Sequence, residues 1–83
     1  MINVEIKERV VMHVVAIVKD TDSEDKIRIE FYENPEGLAA FDEDLMKIVR
    51  GKKNQYLFVD LDGRWFSYDS IDEAISKAKE LLA

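Results

Sequence analysis

Every second position from Ile2 to Val18 is apolar: Ile2, Val4, Ile6, Val10, Met12, Val14, Ala16 and Val18, with Glu8 the one interruption. A period of two places these side chains on one face of an extended strand, with a bulge or turn expected near Lys7-Glu8-Arg9. The odd side changes character midway. Asn3, Glu5, Lys7 and Arg9 are polar, whereas Val11, Val15 and Ile17 are not, so from residue 10 onward the strand is expected to be covered on both faces, as a central strand is. His13, the one histidine, falls mid-strand and reads as a partly buried neutral side chain. A lone imidazole without Cys, Asp or Glu partners at ligand spacing makes no metal site.

A polar connection, Lys19-Asp20-Thr21-Asp22-Ser23-Glu24-Asp25, leads to a second alternating run over residues 26–33, with Ile27, Ile29 and Phe31 inward. Asn34-Pro35 reads as a helix start, because asparagine caps and proline suits the first helical position. Leu38, Phe41, Leu45, Ile48 and Val49 mark the buried stripe of that helix, and Gly51 is placed to end it in a left-handed conformation.

The stretch from Asn54 to Leu82 carries the clearest signals. Gln55 to Leu61 has strand composition and stops at Asp62-Gly63, the dipeptide that favours a two-residue type I′ hairpin. On that register Leu61 faces Arg64, Val59 faces Phe66 and Leu57 faces Tyr68. Leu57, Val59, Leu61, Phe66 and Tyr68 then share one face, and Tyr56, Phe58, Asp60, Trp65 and Ser67 the other. Ser70-Ile71-Asp72-Glu73 is a capping box, followed by Ile71, Ala74, Ile75, Ala78, Leu81 and Leu82 as one helical stripe.

The predicted order is ββαββα in a single α+β domain over residues 1–83. It forms a four-stranded, mainly antiparallel sheet with both helices packed on one face. That packing leaves Val11, His13, Val15, Ile17, Tyr32, Tyr56, Phe58 and Trp65 on the opposite face with nothing in the chain to cover them. A contiguous apolar patch of this kind marks an interface, so a homodimer or complex through the aromatic face is expected.

Charge adds a second candidate. The chain carries a net −6, and between Asp20 and Asp44 ten acids stand against Lys26 and Arg28 alone, a local charge of −8. The rest of the chain is therefore slightly basic. An acidic surface competes for the cationic channels that hold nucleic acid, and the same charge argues against this chain binding DNA or RNA directly. The absence of cysteine fits a reducing compartment. No targeting or membrane-spanning pattern stands in the sequence, so a cytoplasmic location is expected.

Three local resemblances bear on chemistry. Tyr56-Leu57-Phe58-Val59-Asp60-Leu61-Asp62-Gly63 resembles the first motif of haloacid-dehalogenase-type phosphohydrolases, which would make Asp60 the nucleophile and Asp62 the acid/base. Arg64 stands where that family has threonine, and no parallel βα units surround the motif. A strand and turn account for every residue of it. The run from Asp20 to Asp25 resembles the start of a calcium loop, but Asp25 and Phe31 occupy the positions that need glycine and glutamate. The span from Asp60 to Leu82 is similar to the strand–helix junction of HicB-type antitoxins. Asp62 and Arg64 replace that family's proline and cysteine.

The expected function is that of a non-enzymatic, acidic protein-binding module with no cofactor and no metal. In size and charge it is like the small inhibitors of phages and mobile elements, anti-restriction and anti-CRISPR proteins among them, that compete with nucleic acid for a basic partner. The alternative is an antitoxin-like or regulatory subunit pairing with a cognate protein through its aromatic sheet face. Partner-binding residues are expected among Asp20, Asp22, Glu24, Asp25, Glu36, Asp42, Glu43 and Asp44, and among Tyr56, Phe58 and Trp65.

Overall fold

The structure, a computed structural model, describes residues 1–11 and 13–83, with side chains over residues 1–7 and 13–83. Among the described residues, five strands form one antiparallel sheet in the order β1-β2-β3-β4-β5, so every strand lies beside its neighbour in sequence. They are β1 (Ile2–Val11), β2 (Val14–Asp20), β3 (Lys26–Tyr32), β4 (Gln55–Val59) and β5 (Trp65–Tyr68). Two short helices, α1 (Pro35–Leu38) and α2 (Glu43–Val49), lie between β3 and β4, and α3 (Ile71–Leu82) follows β5. The α+β class and the antiparallel sheet agree with the sequence reading, but the order β-β-β-α-α-β-β-α and the fifth strand do not.

The extra strand comes from the long alternating run, which is a hairpin and not one strand. The chain reverses between Val11 and Val14, which are paired, and His13 takes a left-handed φ of 69°. The alternation hides this reversal because Val4 pairs with Val18 and Ile6 with Ala16. From Ile2 to Ile6 even residues face even residues, and paired residues share a face, so the same period-two pattern runs along both arms of the hairpin. His13 is accordingly exposed and stacks on Tyr32, with ring centroids 4.8 Å apart. The expected burial mid-strand is corrected by its place in the turn. The bulge foreseen near residues 7–9 is matched by a register shift between Ile6 and Val11.

A single long helix after Pro35 is also corrected. Asn34 makes no side-chain cap bond, and α1 ends after one turn. Asp42 starts a new helix, its carboxylate accepting from the Leu45 amide. Leu45 and Val49 are buried as expected, but Leu38 is exposed and Phe41 wholly so. Gly51 does take the left-handed conformation expected after the helix, at φ 75°.

The helices lie on opposite faces of the sheet, so the expectation of two helices on one face does not hold. Ala74, Ala78 and Leu82 of α3 pack on Ala16, Val18, Ile27, Ile29 and Phe58, flanked by Phe31, Tyr56, Phe66 and Tyr68. Leu45 and Val49 of α2 pack on Leu57, with Tyr32 and Trp65 beside them. Small alanines on α3 face large aromatics on the sheet, which lets helix and sheet approach and fill the space between them.

The division of β4 and β5 between these faces rests on register. Val59 pairs with Trp65, Phe58 with Phe66, Leu57 with Ser67 and Tyr56 with Tyr68, one residue away from the expected pairing. A slip of one residue moves every side chain of a strand to the other face. Phe58 therefore lies with Phe66 beneath α3, their rings stacked at 5.2 Å, while Trp65 joins Leu57 on the α2 side.

Candidate partner-binding surface

The antiparallel meander carries the β2–β3 loop (residues 21–25) and the β4–β5 loop (residues 60–64) to the same end of the sheet. The first turn of α2 joins them there. The Asp42 carboxylate accepts from the Trp65 indole at 3.2 Å as well as from the Leu45 amide at 3.1 Å. Asp42, Asp44, Gly63, Arg64 and Trp65 consequently line one cleft. Acidic residues far apart in sequence are thus gathered at one end of the molecule.

These acids divide by what holds them. Asp20 is a loop organiser: its carboxylate accepts from the Asp22 amide at 3.0 Å, the Ser23 hydroxyl at 3.1 Å and the Met1 ammonium at 3.2 Å. The Asp22 amide first, then the Met1 ammonium, holds its carboxyl below the ordinary value. Asp22 is itself exposed and pairs with the Met1 ammonium, whose pKa that contact raises. Asp25 accepts from Ser23 at 3.3 Å, and Glu24 is exposed with a left-handed φ of 67°. Glu36 accepts from the Gly51 amide at 2.6 Å, tying α1 to the end of α2. Glu43 and Asp44 project from the first turn of α2, where the helix dipole favours negative charge. Glu24, Asp25, Glu43 and Asp44 are therefore the acids most free to meet a partner; Asp22 is taken by the Met1 ammonium, and Asp20, Glu36 and Asp42 bear on the fold.

The aromatic candidates are not brought together. Phe58 is buried and Tyr56 half-buried on the α3 side, while Trp65 lies across the sheet beside α2. The exposed aromatic is instead Phe41, which stands immediately before Asp42 and lines a pocket with Asp42, Glu43, Met46, Lys47 and Arg50. Sequence reasoning placed Phe41 in the core because its spacing from Leu38 and Leu45 fits a helical stripe. The contrary signal was Asp42-Glu43-Asp44, a cap followed by an acidic first turn, which marks a new helix start. Phe41 then precedes the cap, where a staple to Met46 is the usual arrangement, yet it projects into solvent.

Asp60, which the phosphohydrolase resemblance would make a nucleophile, is buried and committed to its loop. One oxygen accepts from the amides of Asp62 at 2.9 Å and Arg64 at 2.8 Å, and the other from the Arg64 guanidinium at 2.9 Å. The Arg64 amide and then its guanidinium depress the Asp60 pKa. Asp62 is exposed, 3.8 Å from the same guanidinium. Among the described residues no group of three or more His, Cys, Asp or Glu is arranged to hold a metal ion, and no helix is long and apolar enough to cross a membrane. No family model, curated protein or solved structure matches this chain.

Proposed function

We propose that this chain is a non-enzymatic protein-binding domain. It docks its acidic end on a basic surface of the kind that otherwise holds nucleic acid. The observation that carries the reading is the gathering of the exposed Glu24, Asp25, Glu43 and Asp44 at one end of the sheet, with a wholly exposed Phe41 beside Glu43. Interfaces place an aromatic anchor among charged residues that steer the encounter and set specificity. The alternative, pairing through an aromatic sheet face, has less support because Phe58 is buried under α3 and Trp65 points the other way.

The test separates a placed patch from bulk charge. Glu43→Lys with Asp44→Lys and, as a control, Glu33→Lys with Asp72→Lys both move the net charge from −6 to −2. Only the first pair lies at the acidic end. With an immobilised arginine-rich peptide as probe, the wild type and the control are expected to be retained at low salt and released as salt rises. The first variant should elute early throughout, since exposed charges are screened over about 10 Å at 0.1 M salt. Equal loss of retention in both variants would mean that net charge alone acts and would overturn the reading.

A further inference from the structure

The two edges of the sheet differ. β5 is four residues long and has α2 packed on one side and α3 on the other. β1 is ten residues long and lies at the far edge. The Thr21 amide donates to the Met1 carbonyl at 2.8 Å, which makes Met1 and Thr21 a hydrogen-bonded pair. Ladder alternation then turns the amides and carbonyls of Ile2, Val4 and Ile6 away from β2. Their side chains share the α3 face. Ile2 and Val4 pack against the core there, but Ile6 is 54% exposed. An edge with free backbone groups and an uncovered isoleucine is a template for strand pairing.

We infer that β1 pairs antiparallel with β1 of a second copy of this chain, about a two-fold axis at Val4. The segment Ile2-Asn3-Val4-Glu5-Ile6 has the same apolar pattern in both directions, which is the self-complementarity a two-fold interface requires. In this register Ile2 lies opposite Ile6 of the second copy, and Val4 opposite its own twin. Ile6 is covered by an isoleucine already seated on the other core. On the opposite face Asn3 stands across from Glu5 of the second copy, an amide donor against a carboxylate acceptor. This proposal is independent of the reading of the acidic end.

The test combines mass and geometry. Light scattering from micromolar to millimolar concentration is expected to show a wild-type dimer and an Ile6→Lys monomer of unchanged circular dichroism. Asn3 and Glu5 of opposite copies form a non-hydrogen-bonded pair with Cα atoms about 4.5 Å apart, within disulfide range. An oxidised mixture of Asn3→Cys and Glu5→Cys chains should therefore cross-link, whereas either variant alone should not, because its cysteines lie on a diagonal about 7–8 Å apart. A wild type that stays monomeric throughout would overturn the inference. So would a dimer that survives Ile6→Lys, or cross-linking that proceeds equally well with one variant alone.

Discussion

The Asp60 carboxylate accepts three hydrogen bonds within five residues, and those bonds select the loop that follows. Its carboxylate gathers the amides of Asp62 and Arg64 and the Arg64 guanidinium, while its carbonyl accepts from Gly63 and its amide donates to Arg64. The result is a three-residue loop ending in Gly63 at φ 83°, a turn closed by a left-handed glycine, where the dipeptide Asp62-Gly63 alone suggests a two-residue loop. The depressed pKa of Asp60 has a consequence for stability. Its contribution is fully present above the unfolded carboxyl value of about 4 and is lost as pH falls through the lower folded value. Asp60→Asn keeps an acceptor oxygen but loses the ion pair. Urea unfolding should find the variant less stable than wild type at neutral pH, with a smaller further loss between about pH 4 and pH 2. Asp20, also depressed, keeps some pH dependence in both. An identical acid profile would show that Asp60 titrates in the folded chain as it does in the unfolded one.

At the scale of elements, legibility follows how local the determinants are. α3 was legible because its cap and stripe are written within the helix: Ser70 accepts from the Glu73 amide at 3.2 Å, and Ala74, Ala78 and Leu82 are buried in step. The hairpin register was not, because Asp62-Gly63 is compatible with more than one loop and the Asp60 side chain chooses between them. Deleting Leu61, an exposed loop residue, should leave Asp62-Gly63 as a two-residue loop between Asp60 and Arg64 with Val59 still opposite Trp65. Stability within about 1 kcal/mol of wild type and an unchanged Trp65 emission are expected. A shifted emission would mean that Trp65 had changed faces. The candidate site was legible only in part. The acidic run could be read residue by residue, but Asp20, Glu36 and Asp42 look no different in sequence from Glu43 and Asp44. Only their hydrogen bonds separate fold-bearing acids from free ones. Phe41 was misplaced because helical spacing cannot show that the helix had stopped and begun again.

At the scale of the molecule, two apolar clusters share one strand. Leu57 belongs to the α2 side and its neighbour Phe58 to the α3 side, and both are buried. Since β4 carries adjacent side chains into both, neither cluster can be lost while the other keeps its floor. Unfolding should therefore be a single cooperative transition. Trp65 fluorescence, which reports on the α2 side, and far-ultraviolet circular dichroism should trace coincident denaturant curves; separated midpoints would show the faces melting independently.

By itself the sequence determined what depends on neighbours a few positions apart: the α+β class, the existence of β3, β4, β5 and α3, the Ser70 cap, the left-handed Gly51, and the acidity of the middle segment. Tertiary structure decided the turn inside the first alternating run, the face each helix covers, the burial of Phe58 and the exposure of Phe41, and the meeting of distant acids at one end. The reason lies in the period of a strand. Two-residue alternation fixes which side chains go together but not which way they face, and one residue gained in a loop inverts the whole assignment.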